Sequence, residues 1–429
     1  MKNLFKNIIV AILSWEAKIL LRRTKPKIIG ITGSVGKTST KDAIYSVLKG
    51  HVRVRKSEKS FNSEIGVPLS VLGLPNAWSN PLLWFKNIID GLLVAIHPND
   101  YPDVLVLEMG VDRPGDMAKL VSWLQPDVVV LTRLPDTPVH VEYFSTPEAV
   151  VAGKRVFVEA LKPDGVLVYN QDDEAVRKIA ENIHQPAIGY SRYSLSQFTA
   201  SSDKVIYDKG NAQALEFTLT HLNKASLMYV QGSLGVQHAY NYAAAAAVGS
   251  LFDISIEEAT RALREHLPPA GRMRLIAGIK GTTILDDTYN SSPVACERAL
   301  QTLKELKGVK RRIAVLGDML ELGQYSVREH ERMGELVAQT ADILITVGVR
   351  ARGIARGALE NGLSEKAIFQ YEEVGRAGQE LQAMLQPGDM VLVKGSQGIR
   401  LEKLVEEIMA EPERASELLV RQGMNWKNR

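Results

Sequence analysis

The segment that most constrains the fold is ITGSVGKTST, at positions 31–40. It lies between KIIGIT, a run at 27–32 that predicts a buried strand, and KTSTKDAIYSVLKG, which predicts a helix that begins at Lys37 and is closed by Gly50. A tight glycine turn that joins a strand to a helix is typical of a loop that binds phosphate. The full Walker pattern has glycine where this chain has Ile31, so the sequence carries the shorter G-x-x-G-K-T form.

The residue types in this loop indicate how it would hold a nucleoside triphosphate. The glycines allow backbone N–H groups to approach phosphate oxygens, and the start of the helix adds partial positive charge. Lys37 supplies a full positive charge, and the Thr38 hydroxyl is suited to magnesium. A simple glycine turn does not account for Gly-Lys-Thr together, so we expect a nucleoside triphosphate and Mg²⁺ as ligands. The predicted nucleotide contacts in the loop are Gly33, Ser34, Gly36, Lys37, Thr38 and Ser39.

Strand-like and helical segments alternate along the chain, which predicts an α/β fold with mostly parallel sheets and helices on both faces. The strand-like runs after the loop are 104–107, 128–132, 166–169, 283–285, 313–316, 343–347 and 390–393. The prolines and glycine of LPPAG, at 267–271, mark a boundary between two series of runs. We therefore expect a P-loop ATPase domain and a Rossmann-like C-terminal domain. The expected bounds are 1–26 for an N-terminal helix, 27–268 and 269–429.

Length, charge and cysteine content exclude several classes of protein. A chain of 429 residues has room for roughly two to three domains. A net charge of +3 without a concentrated basic patch argues against a nucleic-acid partner. The single cysteine, Cys296, excludes an intramolecular disulfide and a multi-cysteine metal centre, and we expect it to be a buried apolar residue. The cysteine content fits a reducing compartment, so we expect a cytoplasmic protein. We also expect a monomer that acts on small molecules.

Three polar residues of the first series are candidates for a metal site. Glu108 follows the run at 104–107 and would project at the carboxyl edge of the sheet, beside the phosphate loop. A carboxylate there would complete the oxygen shell of magnesium. His140 follows a comparable strand end and Lys154 lies on a predicted helix, but neither residue type is decisive alone.

The second series offers residues that would reach the nucleotide from the other side of a cleft. Arg272 follows the boundary, and Asp286 and Asp287 end a strand-like run. An arginine near a transferring phosphoryl group stabilises its developing charge, and an acid can bind ribose hydroxyls or metal-bound water. Closure of two domains would assemble such a site.

Two apolar segments leave a choice between packing and membrane contact. The N-terminal 23 residues resemble a signal peptide without a small-residue cleavage site, and their uninterrupted apolar run, 8–13, is far short of the roughly 20 residues that span a bilayer. They predict a short amphipathic helix, for which we favour packing on the next domain over lying on a membrane. For LLWFKNIIDGLLVAI, at 82–96, we favour a core helix over membrane contact.

Taken together, the motifs resemble the Mur ligase family over most of the chain. The matching strings are TGSVGKTST, SFNSEIGVP (60–68), LEMGVDRPGD (107–116), VYNQDDE (168–174), HAYNYAAAAA (238–247), AGRMR (270–274), DDTYNSSP (286–293), GDMLELG (317–323) with His330, and VLVKGSQG (391–398). The pair DDTYNSSP and GDMLELG favours the branch of the family that adds D-alanyl-D-alanine to a muramoyl peptide in peptidoglycan synthesis.

The resemblance implies a mechanism and a role for each matching residue. An acceptor carboxylate attacks the γ-phosphate of ATP, and the incoming amine then displaces phosphate from the acyl phosphate. The implied catalytic residues are Lys37, His140, Lys154 and Arg272, and the implied metal ligands are Thr38, Glu108, His140 and Lys154, the last as a carbamate at a second metal site. Implied nucleotide contacts are Asn241 near adenine, Arg272 at the γ-phosphate, Asp287, Tyr289 and Asn290. Lys394 and Ser396 are implied to face the amine substrate.

Several departures from the family pattern concern the acceptor substrate. Only positions 1–26 precede the ATP domain, so we expect the separate domain that grips the uridine nucleotide to be absent. Arg133 and His238 stand where the family has asparagine, and Gln397 stands where it commonly has arginine. Two alternatives follow. One is a Mur-type ligase with a different, lipid-carried acceptor, and the other is a non-catalytic regulatory protein that binds ATP.

Overall fold

The computed structural model describes residues 2–58, 61–110, 113–138, 140–144, 146–423 and 426, with side chains of the N-terminal helix given from Phe5 onward. Three positions of the strings quoted above, Ser60, Val111 and Asp112, lie outside the described residues. The described chain forms two α/β units, and each is built on its own sheet.

The first sheet has nine strands within the described residues. They are β1 (Lys27–Thr32), β2 (Val54–Lys56), β3 (Val104–Glu108), β4 (Val128–Leu131), β5 (Val166–Asn170), β6 (Ala187–Ser191), β7 (Phe198–Asp208), β8 (Asn211–His221) and β9 (Lys224–Gln231). Their order is β2-β3-β1-β4-β5-β6-β7-β8-β9. Neighbours pair in parallel as far as β7, and β7, β8 and β9 pair antiparallel.

Helices pack on this sheet, and the first of them precedes β1 in the chain. They are α1 (Lys2–Thr24), α2 (Lys37–Leu48), α3 (Gly66–Leu72), α4 (Pro81–Ile96), α5 (Asp116–Val121), α6 (Pro147–Glu159), α7 (Glu174–Ala180), α8 (Gln237–Ser250) and α9 (Ile256–Arg264). The run Ala243–Ala247 of α8 is buried against α2 and the sheet. Small side chains allow this close approach, which brings α8 under the phosphate loop.

The second unit repeats the α/β pattern on a smaller sheet. Its strands are β10 (Arg274–Ala277), β11 (Thr283–Asp287), β12 (Arg311–Gly317), β13 (Ile343–Val347), β14 (Ile368–Tyr371) and β15 (Asp389–Lys394), in the order β10-β11-β15-β12-β13-β14. Its helices are α10 (Pro293–Glu305), α11 (Ser326–Ala338), α12 (Arg352–Glu360), α13 (Val374–Met384), α14 (Glu402–Ile408) and α15 (Ala415–Leu418). All strand pairs except β10–β11 are parallel.

The predicted α/β fold class is confirmed, and every predicted strand-like run coincides with a strand of one of the two sheets, although Thr132 of the run 128–132 lies one position beyond its strand. The antiparallel edge formed by β7, β8 and β9 was not predicted. Its turn residues Lys209 and Gly210 both have positive φ, 47° and 85°, as a tight hairpin turn requires. We propose that the two domains span residues 27–268 and 269–429, because this boundary lies between the two sheets.

The N-terminal segment packs on the first unit, as expected. Ile9, Leu13, Ala17 and Leu20 recur at helical spacing along α1 and are at most 3% exposed. They join α3 and α4 in one hydrophobic cluster under the first sheet. No helix among the described residues is long and apolar enough to cross a membrane.

The expectation that residues 82–96 form a core helix is wrong for most of its large apolar side chains. The side of α4 that packs inward carries Trp84, Asn87, Gly91 and Ala95, while most of the other large apolar side chains point outward. The exposed apolar residues of α4 are Leu82, Leu83, Phe85, Ile89, Leu92, Leu93 and Ile96. The composition of the segment suggested burial, but the close contact of Gly91 with Glu16 of α1 decides which side packs.

Candidate active site

The phosphate loop has the geometry that its glycines predict. Gly33 has a φ of 137°, and a Cβ there would lie 2.0 Å from the Thr132 hydroxyl. Gly36 has a φ of 91° and begins α2, which has no side-chain cap, so its first N–H groups point toward the loop. Lys37 Nζ donates to the Gly33 carbonyl at 2.9 Å. This arrangement presents backbone amides and one ammonium to an anion.

Glu108 lies beside the loop, because β3 and β1 are parallel neighbours and Glu108 pairs with Ile31. Its carboxylate is 2% exposed and accepts a hydrogen bond from the Thr38 hydroxyl at 2.9 Å. Asn62 Nδ2 donates to the other carboxylate oxygen at 3.2 Å. The Thr38 hydroxyl and the Glu108 carboxylate thus form the pair of oxygens expected for magnesium.

A cavity of about 220 Å³ extends from this loop to the second unit. It brings together residues that are far apart in the sequence. Among those predicted, the lining residues are Ser34, Gly36, Lys37, Thr38, Glu108, His140, Lys154, Arg272, Tyr289 and Asn290. The cavity therefore lies where the sequence placed the nucleotide.

Buried polar atoms on the wall of the cavity indicate that it holds a polar ligand. Ser34 Oγ, Arg272 Nε and Ser291 Oγ are buried without a hydrogen-bond partner among the described residues, and all three residues line the cavity. Buried polar groups in folded proteins are nearly always hydrogen-bonded, so these atoms call for a ligand or water. The Ser34 hydroxyl from the first unit and the Arg272 guanidinium from the second can both donate hydrogen bonds to the oxygens of a phosphate chain.

The second unit contributes Arg272 and Tyr289 as a stacked pair. The Arg272 guanidinium lies 4.0 Å from the centre of the Tyr289 ring. Ser233 Oγ donates to the Arg272 carbonyl at 2.9 Å, which fixes the backbone. The stacked ring orients the guanidinium at the cavity wall and leaves its edge available to an anion.

Asp287 and Lys394 form a buried ion pair behind that wall. Lys394 Nζ lies 2.6 Å from Asp287 Oδ2 and also donates to the Asn290 carbonyl at 2.9 Å. Burial raises the pKa of Asp287, and Lys394 opposes the rise. The pair therefore holds the end of β11 against β15 and supports the segment that carries Tyr289 and Asn290.

His140 reaches the second unit across the cleft. It adopts a φ of 73° in the turn before residues 141–143, and its Nδ1 lies 2.6 Å from Glu321 Oε2. The hydrogen bond to His140 lowers the pKa of Glu321. Lys154, on α6, is 2% exposed and lines the same cavity. Both residues are thus near the loop, although they follow it by more than a hundred positions.

The residues present fit a magnesium ion that is completed by phosphate. No group of three or more His, Cys, Asp or Glu side chains in the described parts of the chain could hold a metal ion. Thr38 and Glu108 offer two oxygen ligands beside the phosphate loop, and magnesium in such sites takes its remaining ligands from phosphates and water.

Six predicted contacts lie outside the cavity wall. Gly33 and Ser39 belong to the loop and to α2, and Asp287 and Lys394 form the ion pair described above. Asn241 Oδ1 accepts from the Thr40 hydroxyl at 3.0 Å, so this residue packs α8 against α2. Ser396 Oγ accepts from the Leu320 N–H at 2.9 Å. Their assigned ligand contacts stay predictions.

The departures from the family pattern have local structural roles. The Arg133 backbone pairs with the phosphate loop, since Ser34 N donates to its carbonyl at 2.7 Å. His238 Nε2 lies 2.9 Å from Ser233 Oγ, and burial lowers the pKa of this histidine to about 4, so it is neutral near pH 7. Gln397 lines the cavity.

Sequence reasoning assigned no role to several residues of the site. Asn62, Ser291 and Ser292 line the cavity. Asn62 lies in the SFNSEIGVP string and the two serines lie in DDTYNSSP, so the matching strings marked these segments without indicating which of their residues reach the cavity. His330 has a supporting role, because its Nε2 accepts from the Met319 N–H at 3.0 Å and so shapes the GDMLELG loop that carries Glu321.

The two sheets, the phosphate loop and the cavity between the units define an ATP-binding α/β enzyme. A family model described as the Mur ligase middle domain matches residues 31–84 and 85–249, and one described as the Mur ligase glutamate ligase domain matches 271–397. The chain belongs to the Mur ligase family, and it is an ATP-dependent, ADP-forming ligase.

Individual relatives agree with this membership. A UDP-N-acetylmuramoyl-tripeptide--D-alanyl-D-alanine ligase of Bacillus subtilis is 29% identical over 400 residues, which are 92% of this chain and 79% of that relative. The enzyme of the same name from Mycobacterium leprae is 31% identical, with 90% of this chain and 74% of the relative covered. The MurF ligase of Thermotoga maritima, solved in complex with ADP, aligns with a TM-score of 0.76 and 25% identity over 95% of this chain and 84% of its own.

Proposed function

We propose that the protein joins D-alanyl-D-alanine to the peptide of a muramoyl precursor, with ATP as the energy source, in peptidoglycan synthesis. The observation that carries the proposal is the cavity in which the phosphate loop and Glu108 face Arg272 and Tyr289. The similarity to ligases named for this substrate pair, over nine tenths of the chain, supports the choice of substrates. We further propose that the enzyme is a cytoplasmic monomer.

The chain's own residues would act on the phosphate chain of ATP in the first step. An oxygen of the acceptor carboxylate attacks the γ-phosphorus, and the bond to the β-phosphate oxygen breaks, so that ADP leaves. The loop amides and Lys37 hold the phosphates, and Arg272 stabilises charge on the transferring group. Magnesium, bound by Thr38 and Glu108, would neutralise phosphate charge and polarise the γ-phosphate.

In the second step the amine nitrogen attacks the acyl carbon, the carbon–oxygen bond to phosphate breaks, and the nitrogen loses a proton. The acyl phosphate must be kept from water during this step, which closure of the two units would achieve. Lys154 is buried at the cavity and is the candidate for carbamoylation, which would replace its positive charge by oxygen atoms that could hold a second metal ion. His140 would contribute to that same side of the cavity.

The test is phosphate release from ATP and magnesium by the purified protein. D-alanyl-D-alanine and a UDP-muramoyl tripeptide are supplied separately and together, and the product is weighed by mass spectrometry. We expect release to need both substrates and to yield one new amide. Release that needs a carboxylate but not this one would favour a Mur-type ligase with another acceptor. ATP hydrolysis that no carboxylate stimulates would favour the non-catalytic alternative.

A further inference from the structure

The outward side of α4 is unusual for a helix at a protein surface. Leu82, Phe85, Ile89, Leu93 and Ile96 are 80%, 65%, 45%, 54% and 44% exposed. They recur every three or four residues and form one continuous apolar stripe. Single exposed apolar residues are ordinary, whereas a stripe of this length marks an interaction surface.

The inward side of α4 explains why the stripe cannot simply turn inward. Gly91 packs so closely against α1 that a Cβ there would lie 2.2 Å from Glu16 Oε2. Asn87 Nδ2 donates to the Pro75 carbonyl at 2.8 Å, and Trp84 Nε1 donates to the Trp78 carbonyl at 2.8 Å. These contacts fix the rotation of the helix, so the exposed stripe is a property of the fold.

Helix α1 adds a second apolar surface beside the first. Arg23 Nη1 donates to the Ala95 carbonyl at 3.0 Å, which joins the C-terminal ends of α1 and α4. Phe5, Ile8 and Trp15 of α1 are 50%, 50% and 56% exposed. We call the outward residues of the two helices the α1–α4 face. Its members are Phe5, Ile8, Trp15, Leu82, Leu83, Phe85, Ile89, Leu92, Leu93 and Ile96.

The charges around this face have one predominant sign. Helix α1 contains five basic residues and one acidic residue. That acidic residue, Glu16, is 1% exposed and lies between the helices, where burial raises its pKa to about 7. On α4, Lys86 and Asp90 pair with each other at 2.6 Å. Among the basic residues of α1 whose side chains are described, Lys6 pairs with Glu64 at 2.8 Å, and Lys18, Arg22 and Arg23 supply the remaining positive charge.

We propose that the α1–α4 face binds the surface of a membrane that contains anionic lipids, with its apolar side chains among the acyl chains and Lys18, Arg22 and Arg23 of α1 near the headgroups. Interfacial helices combine these two features, an apolar side and nearby lysine and arginine. A second copy of the chain is a poorer occupant, because it would bring the same basic charges against each other. The proposal goes beyond the ligase activity and would stand if the acceptor were different.

The experiment is co-sedimentation with vesicles of phosphatidylglycerol and phosphatidylcholine, compared with vesicles of phosphatidylcholine alone. The test variant is Ile89→Glu/Leu93→Glu, and the matched control is Leu195→Glu/Leu222→Glu, whose two leucines are 97% and 80% exposed in turns away from the face. We expect the wild type and the control to bind the anionic vesicles. The test variant should bind at least about tenfold more weakly, since two apolar side chains no longer insert.

Circular dichroism and ATP-dependent phosphate release check that each variant is folded, because none of the substituted residues lines the cavity. A blue shift of emission on vesicle binding that is lost in Trp15→Phe would place α1 in the interface. Equal binding of the wild type and Ile89→Glu/Leu93→Glu would overturn the proposal. So would a wild-type dimer in light scattering that the test variant converts to a monomer, together with no vesicle binding.

Discussion

At the scale of single residues, Lys154 is the group whose chemistry matters most to the proposed reaction. Lys154 is 2% exposed and lines the cavity together with Glu108 and His140, so a carbamate on its side chain would place two additional oxygen atoms at that wall, where a second metal ion could bind them. We expect Lys154→Ala to lower ligation by at least roughly 100-fold with the fold intact. Short carboxylates such as acetate should partly restore the rate, because they can replace the lost oxygen ligands.

The measurement is the rate of amide formation with and without added carboxylate, and circular dichroism monitors the fold. Lys178→Ala, at an exposed lysine of α7, is the control and should show neither the loss nor the rescue. Full activity in Lys154→Ala would show that the reaction does not require this lysine.

His238 gives a prediction about stability and pH. Its pKa is lowered by burial to about 4 in the folded protein, from 6.5 in the unfolded chain. Below pH 6.5 the unfolded state therefore binds a proton that the folded state does not, and stability falls as the pH drops toward 4. The difference between 6.5 and 4 corresponds to about 3 kcal/mol at most. An asparagine at position 238 carries no titratable group, so this contribution to the pH dependence of stability would disappear.

We expect His238→Asn to flatten the decline in unfolding free energy between pH 6.5 and 4, as measured by urea denaturation. Asp286 titrates in the same range with the opposite sign, because burial raises its pKa to about 6. The informative quantity is thus the difference between the wild type and the variant at each pH. His184→Asn, at an exposed histidine, should leave the profile unchanged. Parallel profiles for wild type and His238→Asn would contradict the assignment of a neutral buried histidine.

At the scale of elements, the β1–loop–α2 unit depends on glycine conformation. An alanine at Gly36, with a φ of 91°, would be strained and would lie 3.1 Å from Asn241 Oδ1. The loop of the alanine variant would change its backbone conformation to relieve about 1–2 kcal/mol of strain. Phosphate binding requires the original conformation, so this free energy would be lost from binding. We expect Gly36→Ala to weaken ATP binding by roughly tenfold or more in calorimetry.

Gly210→Ala is the matched control, since Gly210 has a φ of 85° and no atom within 4 Å of an added Cβ. It should lower the thermal stability by a similar amount and leave ATP affinity unchanged. Loss of ATP binding in both variants would mean that general destabilisation, and not loop geometry, is responsible.

Elements defined by neighbouring residues could be predicted from the sequence, and those defined by distant contacts could not. The strand at 27–32, the loop and the start of α2 follow from a buried run, two glycines and Gly-Lys-Thr. The outward apolar side of α4 follows instead from the close contact of Gly91 with Glu16, which no pattern in 82–96 contains. The pairs Asp287–Lys394 and His140–Glu321 also join positions more than a hundred residues apart.

At the scale of the whole molecule, the cavity is formed by both units, so the cleft must open to exchange ATP and ADP. Two of the contacts that hold the units together join the same two segments of the chain. His140 pairs with Glu321, and the Thr137 hydroxyl donates to Glu329 at 3.4 Å. Both contacts involve the loop before α6 on one side and the segment around α11 on the other. A covalent link there would prevent opening without touching the cavity.

A disulfide between Glu142→Cys and Gly323→Cys would provide this link. A Cβ built at Gly323 lies 3.5 Å from the Glu142 Cβ, which is within the range of about 3.5–4.5 Å found in disulfides. The native Cys296 is 2% exposed, and burial raises its pKa to about 12, so it should not compete. We expect oxidation of the double variant to lower steady-state turnover at least about tenfold and reduction to restore it, because product release requires opening.

The reduced variant is the reference, since a side chain at Gly323, with a φ of 51°, is strained in both redox states. Each single cysteine variant should be insensitive to oxidant, whereas equal turnover of the oxidised and reduced double variant would show that catalysis proceeds without separation of the two units at this contact.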